Sequence, residues 1–284
     1  MPLDATPAPS PPTIDAAERT LRSIGDGYSP SEYQQLILFE PFTSTHLAAL
    51  AACFFAAIAV ILTARRVRPA APLPPVDPYT VDPAGRVLGA LALSHWVAHQ
   101  AWWAIPARFI AGDSLPLHMC DLTGCIAAFA LLTGWRPLAV ITYFWALGLS
   151  TQAFVTPVVE WGPLITEFWL FWESHTLIVG AAAYLVLVRR FRPGFRDLLL
   201  GYGALVAYAA IMMPIDLLMG WNYGYIGNIQ PTTATLIDHL GPWPWRLIPM
   251  AAMSAFIMTM LWLPWAIFRA RTAPAPHPDA SSLR

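Results

Sequence analysis

Residues His46–Ala64 read HLAALAACFFAAIAVILTA and run straight into Arg65 and Arg66. A bilayer core about 30 Å thick needs about 20 apolar residues in a helix, because no water is there to satisfy an open backbone. The stretch has that length, carries no carboxylate or guanidinium, and ends on cations suited to the headgroup layer. It reads as a membrane helix, and the rest of the chain repeats the pattern. Further runs lie near Val87–Ile105, Leu117–Gly134, Pro137–Thr156, Thr166–Val188, Asp197–Met219 and Trp245–Phe268.

The fold expected is therefore all-α, a polytopic membrane protein of about seven transmembrane helices. Composition agrees: 57% of the 284 residues are hydrophobic, 12% are charged, and mean hydropathy is +0.52. Residues 1–45 are expected to form a disordered or interfacial segment with a Pro- and Ala-rich start, 46–268 a single helical domain, and 269–284 a disordered cytoplasmic tail. No secretory signal pattern precedes the first run. Trp102, Trp103, Trp161, Trp221, Trp243 and Trp245 fall near run ends, where interfacial aromatics collect.

Net charge is −1 and the chain has no lysine, which leaves no basic surface to grip nucleic acid. With the N-terminus outside, twelve of the 16 arginines fall on the inner side, leaving Arg19, Arg22, Arg108 and Arg246 outside. The positive-inside bias therefore predicts N-terminus out and C-terminus in. The setting expected is a bacterial inner membrane, with membrane lipids as partners.

This orientation gathers polar residues at one depth. The densest group is LPLHMCDLTG, Leu115–Gly124, where Pro116 suits a first helical turn and Cys120 would sit near a helix N-terminus that favours a thiolate. His118 and Asp121 accompany it. His99 and Gln100 lie late in the second run, Gln152 and Asp216 late in the fourth and sixth, and His175 early in the fifth. All fall in the outer half, which predicts one shared cavity, covered by Trp221–Trp245.

Residues two apart on a helix point about 200° from each other, so His118 is a poor base for Cys120. A thiol needs a base to act as a nucleophile, and His175 has the right depth on another helix. The plainer alternative is that Cys120 fills space and His175 bonds two helices. His95 and His99 are four apart on one face, a spacing that suits zinc with a third ligand, or simple helix-to-helix bonding. Asp216 follows Pro214, where a kink frees backbone groups. Glu173, two residues from His175, is expected to face elsewhere, towards an arginine or glutamine on another helix, and Cys53 and Cys125 read as packing.

Six motifs carry a resemblance: FEPFTSTHLAAL (Phe39–Leu50), LPLHMCDLTG, YFWALGLSTQAFVTP (Tyr143–Pro157), FW-x-x-H ending at His175, WNYGYIG (Trp221–Gly227) and LGPWPW (Leu240–Trp245). On these the chain resembles the YwaF family of bacterial multi-pass membrane proteins. That family is similar, more distantly, to a transmembrane acyltransferase of ether-phospholipid metabolism and to intramembrane hydrolases of fatty-acid esters of hydroxy fatty acids. The resemblance implies a Cys or Thr nucleophile, falling on Cys120, and a later His, falling on His175. The acidic Glu173 departs from the bacterial pattern, which leaves its own role open.

The function expected is a lipid acyltransferase or lipid ester hydrolase without a cofactor. His118, Asn222 and Tyr223 would hold the ester or its oxyanion, with Asp121, His99 and Gln152 in support. Two alternatives stand beside it: a seven-helix zinc hydrolase using His95 and His99, and a non-enzymatic transporter or membrane assembly protein.

Overall fold

Seven α-helices of 13 residues or more account for the seven apolar runs, in a computed structural model that describes residues 37–67, 81–229 and 236–272. The expected tails and most of the Pro-rich 69–83 link lie outside the described residues. In chain order the helices are α1 (Ser44–Val67), α2 (Pro83–Trp103), the short α3 (Ala111–Ser114), α4 (Met119–Thr133), α5 (Arg136–Gly148), α6 (Thr166–Leu187), α7 (Phe195–Met219) and α8 (Leu247–Thr272). Three 3₁₀ turns occur among the described residues, at Ser150–Phe154, Tyr223–Tyr225 and Leu236–Leu240.

Four of these helices, α1, α6, α7 and α8, are long and apolar enough to cross a bilayer. The protein is thus an all-helical membrane protein with several apolar helices. The other three, α2, α4 and α5, do not meet that measure. With 15 and 13 residues, α4 and α5 reach only about 22 and 20 Å at 1.5 Å per residue, short of a core about 30 Å thick. They are the interior of the bundle: Ala128, Ala130, Leu131, Val140, Phe144 and Ala146 are fully buried. α2 has the length but carries Arg86, His95, His99 and Gln100. α1 and α8 are the periphery, with most of their surface left to lipid.

The interior helices approach closely where side chains are small. A Cβ added at Gly201 of α7 would lie 2.7 Å from Phe144 of α5, so that crossing requires glycine. The fourth run does not continue as one helix. α5 stops at Gly148 and the chain tightens into the 3₁₀ turn Ser150–Phe154, which turns Gln152 into the interior cavity described below.

Arginines counted only for orientation turn out to be helix caps. Arg189, 1% exposed, donates to the carbonyl of Leu131 (2.7 Å) near the C-terminus of α4, to that of Ala130 (3.2 Å), which also accepts the Gly134 amide, and to Asp82 (3.0 Å). Asp82 also caps α2 through the Gly85 amide (2.8 Å) and accepts from the Tyr184 hydroxyl. Arg136 pairs with Asp197, whose carboxylate caps α7 through the Gly194 amide at 2.6 Å. At the opposite end, Arg246 is buried and donates to the Gly227 carbonyl at 2.6 Å, fixing the link that follows α7.

Just before α1, Leu38 is bridged to Trp161. Phe39 N–H donates to Glu160 O and Gly162 N–H to Ile37 O, a single antiparallel bridge to the α5–α6 link. His46, 1% exposed, ties the same regions, accepting from Phe42 N–H and donating to the Phe154 carbonyl.

Candidate functional site

The site is built on the link between α2 and α4. Pro116 sits in the turn before α4 rather than in its first turn: the helix begins at Met119, with His118 as an extended N-cap residue. Cys120 is then the second helical residue, at the positive end of the helix dipole. Three contacts hold this link. The Tyr223 hydroxyl donates to Ala111 O (2.7 Å) and accepts from Leu115 N–H (3.2 Å), and the Tyr208 hydroxyl of α7 donates to Leu117 O (2.8 Å). His118 donates to Asp113 (3.3 Å) and sets its ring against Tyr223 at 4.6 Å. That hydrogen bond, against the opposing effect of burial, holds the Asp113 carboxyl below its ordinary pKa.

Cys120 Sγ lies 3.8 Å from the Ser150 hydroxyl, among Ala146, Ile178 and Ala182. His175, only 6% exposed, stacks on Phe171 at 4.3 Å. Its Nδ1 is 2.7 Å from the Phe171 carbonyl, which can only accept, so the proton of the neutral ring is on Nδ1 and Nε2 carries the lone pair. No hydrogen bond joins Cys120 to His175 among the described residues. Both line one cavity of about 1140 Å³.

The same cavity takes in His99, Gln100, His118, Asp121 and Gln152, but not Asp216, which the sequence had placed at the same depth. His99 accepts from the Trp103 indole at Nε2 (3.3 Å), and its Nδ1 lies 3.3 Å from the Gln100 amide nitrogen and 3.7 Å from Asp121. Asp121 also accepts from the Gln100 amide (3.1 Å), and its carbonyl from the Trp96 indole (2.9 Å). His95, one turn earlier, turns instead to α6: its Nε2 is 2.9 Å from Ser174 Oγ and its Nδ1 3.6 Å from Glu173. Glu173 therefore faces a histidine, where an arginine or glutamine was expected. Although the rings of His95 and His99 are 6.3 Å apart, no three His, Cys, Asp or Glu side chains gather closely enough to hold a metal among the described residues.

Gln152 and Asn222 also line the cavity, and Asn222 Oδ1 is engaged by Gly227 N–H at 3.0 Å. Trp221, Tyr225 and Ile229 of the long link after α7 line it too, while residues 230–235 lie outside the described residues. Tyr223 does not line it: it is fully buried and its hydroxyl is spent on the α2–α4 link. Asp216 is fully buried as well, accepting from Tyr223 N–H at 3.0 Å, so it anchors the link after α7. Cys53 lies 3.9 Å from the Trp172 carbonyl, and all three cysteines are free.

Three cavity residues escaped the sequence reading, Ser174, Tyr208 and Glu167, as did Ser150, which meets Cys120 without lining the cavity. Glu167, 7% exposed, accepts from the Trp102 indole (3.2 Å) and lies 3.8 Å from Arg108, whose guanidinium covers the Trp102 ring at 4.0 Å. Its second oxygen is buried without a partner. No spacing rule signals such residues, because their partners come from other helices.

A family model described as the TMEM164 family matches residues 41–264, a span that includes every residue named in this cavity. Searches among curated proteins and among solved structures each found no match.

Proposed function

Because the chain belongs to the TMEM164 family, we propose that it is a membrane-embedded enzyme of lipid esters in which Cys120 is the nucleophile and His175 the base. Residues 46–268 act as a single domain of seven helices in a bacterial inner membrane, N-terminus out, with the cavity in the outer half. The resemblance to YwaF proteins and, beyond them, to Cys/His transmembrane acyltransferases and hydrolases supports the same pair. The observation that carries the reading is the shared cavity: Cys120 and the lone-pair nitrogen of a buried, oriented His175 belong to one chamber.

The chemistry runs in two halves. His175 Nε2 takes the Cys120 proton as the thiol turns from Ser150, and the thiolate attacks the ester carbonyl carbon. The C–O bond of the lipid breaks, the thioester forms on Cys120, and the leaving alkoxide takes the proton back from His175. A lysolipid hydroxyl or a water then gives its proton to His175 and attacks the thioester. The products are a new ester or a fatty acid, and the Cys120 thiol is restored. His99, oriented by Asp121 and Trp103, and the Asn222 amide are the polar groups that hold the reacting ester. His118 and Tyr223 support the loop that carries Cys120, and Gln152 is held ready on the 3₁₀ turn.

Purified protein in vesicles with an acyl-labelled phospholipid and a lysolipid acceptor tests this. The label should leave the donor lipid with wild-type protein and stay on it with Cys120→Ala. Wild-type protein that turns over no lipid ester, or Cys120→Ala that retains full turnover, would reject the reading.

A further inference from the structure

The cavity around Cys120 has two unlike ends. Towards α2, α4 and α6 its walls carry histidines, Gln100 and Asp121; towards α7 and α8 they are mostly apolar, with Val206, Met213, Met250 and Ile257, and the hydroxyls there, of Tyr202, Tyr208 and Ser254, are each bonded to a backbone carbonyl. Val206 is 52% exposed on the outer surface of α7 and Ala251 is exposed on α8, yet both line the same cavity as Cys120. The chamber therefore reaches the lipid-facing surface between these two helices. Beside this opening the Tyr202 hydroxyl donates to the Ala251 carbonyl at 3.3 Å.

An apolar arm open to hydrocarbon is a poor place for water, which needs polar partners to stay. A headgroup drawn through it would lose its hydration without replacement. A hydrocarbon tail loses nothing on the same route, and methionines suit a flexible occupant because their side chains adapt to irregular shapes. The volume, about 1140 Å³, exceeds the roughly 300–1,000 Å³ common for small-molecule sites.

We propose that this arm is the acyl-chain site: the tail of a membrane lipid ester enters sideways between α7 and α8 and lies along Met213, Met250 and Ile257. Its ester carbonyl is then presented at Cys120. The proposal rests on the reading of Cys120 as the acyl-accepting nucleophile, and adds where the chain lies and which residues select its length. Val206 and Ala251 are the jambs of the opening.

Two measurements test it. Val206→Trp and Ala251→Trp should lower the labelling of Cys120 by a long-chain acyl ester, relative to a short-chain one, by about tenfold, the discrimination that filling an apolar pocket gives. Phe256→Trp, on the lipid-exposed side of α8 outside the cavity, should leave that ratio at the wild-type value. A ratio unchanged in both Val206→Trp and Ala251→Trp would overturn the proposal. In the second, a phospholipid with a photoreactive group in its acyl chain is irradiated with Cys120→Ala protein in vesicles. Adducts should be enriched at Met213 and Ile257 over Ile211 and Phe256, which face outward on the same helices. No enrichment would overturn the acyl site. If no acyl ester labels wild-type Cys120, the enzymatic reading fails by itself, and the photolabelling alone decides the site.

Discussion

Cys120 and Ser150 are 30 residues apart in sequence, and the sulfur of one lies 3.8 Å from the hydroxyl oxygen of the other. The contact exists because α5 ends at Gly148 and the next residues form a 3₁₀ turn instead of continuing the helix. The break in the fourth apolar run is thus part of the site. It gives the thiol a polar partner at the head of α4, where otherwise only Ala146, Ile178 and Ala182 would meet it.

Tyr223 acts on the site through the chain that carries it. Tyr223→Phe keeps the ring against His118 but leaves the Ala111 carbonyl and Leu115 amide without their shared partner. The expected cost is about 1–3 kcal/mol for buried groups left unsatisfied. It should appear as a lower melting temperature in detergent and slower labelling of Cys120. An unchanged melting temperature would mean that the hydroxyl does not hold the link.

Asp82 predicts how stability depends on pH. Burial raises its pKa, but the Tyr184 hydroxyl, the Gly85 amide and the Arg189 guanidinium outweigh burial and hold it below the ordinary 3.8. A depressed carboxyl pKa contributes stability that is fully present above the unfolded value and lost as pH falls from there through the lower folded value. Thermal melts from pH 6 down to about 3 should therefore show wild type losing stability faster than Asp82→Asn below pH 3.8. Parallel curves would refute the role given to Asp82.

Orientation is tested by fusions. A reporter active only in the cytoplasm should work after Arg284 and be silent before Leu3, as the arginine bias requires. Activity at the N-terminal fusion instead would invert the protein and put the cavity in the inner half of the bilayer.

Much of this was legible in the sequence, for reasons that differ residue by residue. The helices were legible because a backbone in lipid must satisfy itself, so an apolar run such as His46–Ala64 has one outcome. The shared cavity was legible because run direction fixes depth, which gathered His99, Cys120, Gln152 and His175. Partners were not legible. Ser150, Tyr208 and Ser174 meet Cys120, Leu117 and His95 across 30, 91 and 79 residues, and periodicity carries no record of which helix faces which. Counting Arg189 and Arg246 as charges likewise missed that both are buried and bond to carbonyls. Tyr223 was expected at the ester because a loop tyrosine can face either way; its own N–H, held by Asp216, turns it to the α2–α4 link.

The central claim is that Cys120 and His175 act as a unit, and the most direct measurement is site-resolved labelling by an acyl-ester probe. Mass spectrometry should find the acyl adduct on Cys120 and none on Cys125. His175→Ala should slow its formation by roughly 100-fold or more, as loss of a general base does. Cys120→Ala should abolish it, and adding His175→Ala to Cys120→Ala should change nothing further, because coupled catalytic residues are not additive. Equal labelling of Cys120 and Cys125, or labelling of Cys120 at the wild-type rate in His175→Ala, would contradict the account.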